Sequence, residues 1–173
     1  MKNYAKLLTV LVMVLLAACT SSSRTDDAGS RDLSPAVCTN APDGSFDSLR
    51  NRDWNLVGLR TDSQSITIDR NRLAEYGFGE VFSLRFGVGR ISGVGAPNHY
   101  SGPFTLGENQ DIMFGMMAST MMAAVREPDE LKEHEYYAYL HNVNRWNFAD
   151  GNLEMYSTRN DGGEVVLVFA LTK

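Results

Sequence analysis

The sequence has no glycine-rich phosphate loop, no cysteine or histidine spacing of a zinc site and no dinucleotide-binding fingerprint. Nothing in it points to P-loop phosphoryl transfer, structural zinc or nicotinamide chemistry. Cysteine is limited to Cys19 and Cys38, and histidine to His99, His134 and His141. Positive charge is also short: 16 Lys and Arg stand against 21 Asp and Glu, a net charge of −5. An acidic chain is repelled by nucleic acid and by anionic surfaces, so no nucleic-acid partner is expected.

A catalytic set is missing as well. Ser92 and His99 flank one glycine-rich segment, but a serine hydrolase needs nucleophile, base and orienting acid to converge, and no spacing here suggests that. His134 and His141 fall on one face of a helix, roughly 10.5 Å apart at 1.5 Å rise per residue, too far for one metal ion with bonds near 2 Å. The expectation is a protein without enzymatic activity, cofactor or metal centre.

What is present begins with a targeting signal. Lys2 and Lys6 precede an apolar run over 7–18 that ends Leu16-Ala17-Ala18-Cys19. A basic start, a short apolar core and small residues before the break make a secretory signal peptide. The run is too short to span a bilayer, which takes about 20 apolar residues. Leu-Ala-Ala-Cys resembles the lipobox of bacterial lipoproteins. That resemblance implies removal of 1–18, a diacylglycerol thioether on Cys19 and an acylated amino group. The partner it implies is the lipid bilayer, held through several acyl chains, each buried CH₂ contributing about 0.8 kcal/mol. Thr20 follows Cys19, not the Asp that retains many such proteins at the inner membrane, so the implied location is the outer membrane, facing the periplasm.

Residues 19–50 are rich in Ser, Asp, Gly and Pro and bury too little apolar surface to offset their ordering entropy, so they read as a flexible tether. With Cys19 acylated, Cys38 has no intrachain partner and reads as an incidental thiol. The folded part is expected at 51–173. Trp54 and Leu56 open it on a strand, 65–68 alternates cleanly, and 81–86 places Phe82, Leu84 and Phe86 on one face.

The centre of the chain is RISGVGAPNHYSGPF, where Gly93, Gly95, Pro97, Asn98 and Gly102 interrupt two apolar runs. It reads as a strand that turns a tight corner, with Gly93 and Gly102 needed for backbone angles or for close approach. Asn98 reads as a backbone-bonding turn residue. Residues 100–106 and 111–114 then pair across a turn. A helix is expected over 128–142, with Pro128 at its first position and Asp129 and Glu130 in its first turn. Tyr136, Leu140 and Val143 form its apolar stripe. Three strands close the chain around turns at Asp150-Gly151-Asn152 and 160–163. The expected class is mainly β (α+β): an antiparallel, half-open β-barrel of about eight strands with one packed α-helix.

These residues resemble the META/HslJ domain family of bacterial envelope proteins. Trp54 and Leu56 match its first strand, and Asn98, Tyr100 and Gly102 match its glycine-rich segment. Thr120, Met122 and Ala123 match the next motif, and Glu133, Tyr136, Leu140 and Val143 match the helix. Two family cysteines are replaced here, by Pro97 and Ala124, so no thiol chemistry carries over. The resemblance implies an open barrel with a packed helix and no established catalysis; members are associated with stress tolerance, envelope function and virulence. The expected role is that of a monomeric envelope lipoprotein acting through a protein partner. The alternative is a small-ligand or Cu(I)-binding barrel, whose soft donors would be Met116, Met117, Met121 and Met122.

Overall fold

The computed structural model describes residues 45–172. The expected signal peptide, Cys19, Cys38 and the tether up to residue 44 lie outside the described residues. In chain order the elements are α1 (Phe46–Leu49), β1 (Asp53–Arg60), β2 (Ser65–Thr67), α2 (Arg70–Glu75), β3 (Ser83–Phe86), β4 (Arg90–Val94) and β5 (His99–Leu106). They continue with β6 (Ile112–Phe114), β7 (Ala118–Ser119), α3 (Glu133–His141), β8 (Val143–Ala149), β9 (Asn152–Thr158) and β10 (Glu164–Leu171).

Eight of these strands run in the order β6-β5-β4-β3-β1-β10-β9-β8, every neighbouring pair antiparallel. The short β2 and β7 lie beside β1 and β5. The two outer strands meet where Asp111 bridges Arg145 and the Trp146 amide donates to the Gln110 carbonyl at 2.9 Å. The result is a nearly closed eight-stranded barrel, mostly antiparallel β, as the alternating patterns imply.

Trp54 and Leu56 point inward and are fully buried. Strand β1, expected to end near Gly58 to Arg60, runs to Arg60. A bulge between Leu56 and Gly58 absorbs one residue and returns Leu59 to the interior. The interior is aromatic: Trp54, Phe82, Phe86, Tyr136 and Phe169 are among its largest buried side chains. The fold also reaches further back than Asn51. In α1, Phe46 and Leu49 enter the core, the Phe46 ring meeting Phe86 at 5.0 Å and Trp146 at 5.2 Å. The Trp54 indole donates to the Leu49 carbonyl at 3.1 Å.

The expected helix start at Pro128 is corrected. Residues 128–132 approach as irregular chain, with Leu131 buried and the Lys132 ammonium donating to the Pro128 carbonyl at 2.9 Å. The helix begins at Glu133, where the Glu135 carboxylate accepts from the Lys132 amide at 3.0 Å. Both acid pairs, Asp129/Glu130 and Glu133/Glu135, suit a positive helix end; long-range bonds to Glu133 select the second. Tyr136 and Leu140 enter the core from α3, and Val143 continues their stripe as the first residue of β8.

The corner is a β4–β5 hairpin whose turn carries a cis Ala96-Pro97 bond. Its glycines serve close approach, since none of Gly93, Gly95 and Gly102 has positive φ. A Cβ on Gly93 would collide with the Ser83 carbonyl and lie 2.7 Å from the Tyr100 hydroxyl.

Candidate functional site

The first residue of α3 reaches the hairpin turn. One oxygen of the Glu133 carboxylate accepts from the backbone amides of Ala96 at 2.6 Å and Asn98 at 2.7 Å, and from the Tyr137 hydroxyl at 3.3 Å. Its other oxygen accepts from the Asn98 side-chain amide at 2.8 Å. Burial pushes this carboxyl up, but the hydrogen bonds from Asn98, Ala96 and Tyr137 outweigh it and hold it below the usual range. Gly95 has no room for a side chain, because a Cβ there would sit 2.5 Å from both the Glu133 carboxylate and the Tyr137 hydroxyl.

Asn98 joins this helix end to a third segment. Its side-chain oxygen accepts from the Met122 amide at 2.6 Å and the Thr120 hydroxyl at 2.9 Å, while its amide also donates to the Met122 carbonyl at 3.3 Å. Its backbone carbonyl accepts from the Gly95 amide at 2.6 Å and, at 3.0 Å, shares the single Tyr137 hydroxyl proton with the Glu133 carboxylate. Asn98 is buried, as such a set of partners requires. The sequence reading made it a local turn residue; it is a hub for the hairpin, residues 120–122 and α3.

Beneath the hub, Tyr100 and Tyr136 both donate to the Ser83 carbonyl, at 2.8 and 3.0 Å, with their hydroxyls 3.2 Å apart. Burial raises both phenols, and burial together with the Glu133 charge raises Tyr137. The phenols stay protonated as donors and Glu133 stays ionised as acceptor. Of the expected family residues, Gly93, Pro97, Asn98, Tyr100 and Thr120 converge on this clasp. Trp54 and Leu56 lie in the core, and Gly102 packs against Met117. Sequence reasoning did not assign the clasp roles of Glu133, Tyr137 and the Ser83 carbonyl, which depend on contacts across 17 to 53 residues.

Alongside the clasp, α3 and the β5–β7 region enclose a groove of about 650 Å³. Its walls include Tyr100, Phe114, Met116, Met117, Tyr137 and Ala138, with His134 and His141 on the helix side. The expected four-methionine set divides here: Met116 and Met117 line the groove, whereas Met121 and Met122 do not. Met121 is 99 % exposed, and the Met122 backbone belongs to the clasp. Among the described residues no three His, Cys, Asp or Glu side chains are placed to hold a metal ion. The hairpin register sets Ser92 opposite Ser101 and His99 opposite Val94, so Ser92 and His99 are not direct cross-strand partners.

A second carboxylate, not anticipated from sequence, lies on the outer wall. Glu154 accepts from Arg60 at 2.8 Å, from the Tyr156 hydroxyl at 2.6 Å and from Asn147 at 3.4 Å. Burial raises its carboxyl, and the bonds from Tyr156 and Arg60 bring it below the usual range. The Arg145 guanidinium stacks 3.6 Å from the Tyr156 ring centre.

Comparison with known proteins places this geometry. No curated protein matches the chain in sequence. A protein from Burkholderia xenovorans solved by NMR is similar at 18 % identity and a TM-score of 0.52, over 73 % of this chain and 86 % of that one. A DUF4847 family protein from Bacteroides vulgatus ATCC 8482 is similar at 13 % identity and a TM-score of 0.45, over 70 % of this chain and 93 % of that one. The first likeness is one of fold. The sequence pattern of the META domain matches residues 47–171, from α1 through the last strand. The chain therefore belongs to the META domain family.

Proposed function

We propose that this chain is an envelope lipoprotein, anchored through acylated Cys19 in the outer membrane and facing the periplasm. Its META domain supports envelope integrity or stress tolerance as a monomeric, non-enzymatic module acting through a protein partner. One observation carries the non-enzymatic part. The polar groups gathered at the motif, Asn98, Thr120, Glu133 and Tyr137, are engaged with one another and with backbone. A group committed in this way positions chain segments rather than exchanging protons with a substrate.

The test is complementation in cells lacking the protein, challenged with detergent or a chelator. The intact chain and a Ser92→Ala/His99→Ala variant restore resistance, whereas Cys19→Ala exported behind a signal peptide that is cleaved without lipidation, and so released from the membrane, does not. Loss of function in a folded Ser92→Ala/His99→Ala protein would favour hydrolase chemistry instead.

The second reading, a small-ligand or Cu(I)-binding barrel, is favoured by the groove that brings Met116 and Met117 beside two histidines. It predicts saturable uptake of a ligand by the purified chain.

A further inference from the structure

The groove beside α3 has a make-up that the clasp does not require. At about 650 Å³ it falls within the roughly 300–1,000 Å³ of small-molecule sites. Tyr100, Phe114 and Met117 give it an apolar floor, the first two buried and the third half-buried. The helix wall reads His134, Tyr137, Ala138 and His141, spaced i, i+3, i+4 and i+7, so one stripe of α3 faces the groove. The small Ala138 lies between the two imidazoles and leaves space over the floor.

The charges are equally selective. The chain carries more acids than bases, yet no carboxylate lines this groove. The two acids flanking His134 are engaged elsewhere, Glu133 with the hairpin amides and Glu135 with the Lys132 amide. Besides phenols, the ionisable groups on the wall are the two exposed imidazoles, which donate a hydrogen bond in either protonation state.

We propose that this groove binds an anionic amphiphile: an acyl chain lying over Tyr100, Phe114 and Met117, with its acidic head group accepting a hydrogen bond from His134 or His141. This rests on the ligand-binding reading above and gives it a ligand class. A bound chain can extend along the roughly 10.5 Å between the imidazoles.

The experiment titrates the mature chain, residues 19–173 bearing Cys19→Ala, which lacks both the acyl chains and the apolar 7–18 run, with laurate, with dodecanol and with phosphatidylglycerol vesicles. Laurate binds saturably at one site. Filling the groove with Ala138→Trp abolishes this, and His134→Ala/His141→Ala weakens laurate by roughly tenfold or more while leaving dodecanol unchanged. Melting curves confirm that each variant is folded. The proposal is overturned if laurate does not saturate, if Ala138→Trp binds it as the parent does, or if only vesicles bind. Silver(I) uptake lost in Met116→Leu/Met117→Leu, without laurate binding, would overturn the amphiphile while leaving the ligand-binding reading in place.

Discussion

The Glu133 carboxylate accepts the backbone amides of Ala96 and Asn98 through a single oxygen, at 2.6 and 2.7 Å. A helix N-terminus is thereby fastened to a hairpin turn 35 to 37 residues away in sequence. Backbone amides in such a turn have no strand partner, and a carboxylate supplies stronger, charge-assisted bonds than water does.

Glu133→Ala should lower stability by about 2–4 kcal/mol, because it leaves two backbone donors without an acceptor and removes the shorter of the two bonds from the Asn98 amide. Glu133→Gln, which keeps an acceptor oxygen, should lose less. Urea unfolding of the two variants checks the order; equal midpoints for parent and Glu133→Ala would contradict it.

The carboxyls of Glu133 and Glu154 are both depressed in the folded state. A depressed carboxyl stabilises the fold above its unfolded value, about 4.3, and that contribution is lost as pH falls through the folded value. Stability should hold from neutral pH to about 5 and decline below about 4. Glu133→Gln should flatten this acid limb, measured as the urea midpoint against pH.

Gly93→Ala should be the more damaging of two glycine changes. Its Cβ meets the Ser83 carbonyl, which β3 holds in place, and the cost should be about 3 kcal/mol. At Gly102 the nearest atom is the Met117 Cγ at 2.9 Å, a flexible side chain, though the Met117 Cα at 3.1 Å limits the relief. That substitution should cost about 1 kcal/mol. Thermal melts of both variants test the ranking.

Cys19→Ala, exported behind a signal peptide that is cleaved without lipidation, should move the protein from the membrane fraction to the soluble periplasm. Metabolic labelling with an alkynyl fatty acid should mark the parent and not the variant. A Cys19→Ala protein that still partitions wholly into membranes would contradict lipid anchoring.

Several features were legible because they are local. Leu84 and Phe86 share a buried face that period-two spacing declares, whereas Phe82, expected on the same strand, is buried from a bend at φ +54° just ahead of β3. Asp150 and Gly151 take φ of +53° and +78°, the positive-φ pair that an Asp-Gly turn favours. The β1 bulge was not legible, because Val57 and Gly58 look like the end of an alternating run. Nor was α1, since four residues show no period; Phe46 and Leu49 reveal themselves only by what they pack against. Asn98, Thr120 and Glu133 could be read as three separate motifs, but nothing in their spacing says that they meet. The groove has the same character: Met116, Met117, His134 and His141 share it because α3 lies beside the β5–β7 region.

The central claim is that this motif fastens the hairpin and residues 120–122 to α3. Amide hydrogen exchange of the full chain, compared between parent and Glu133→Ala, tests it most directly. The amides of Ala96, Asn98 and Met122 should be protected in the parent. In the variant they should lose protection together, while the core amides of β1 and β10 exchange no faster than the lowered global stability requires. Unchanged protection at Ala96 and Asn98 in Glu133→Ala would contradict the account.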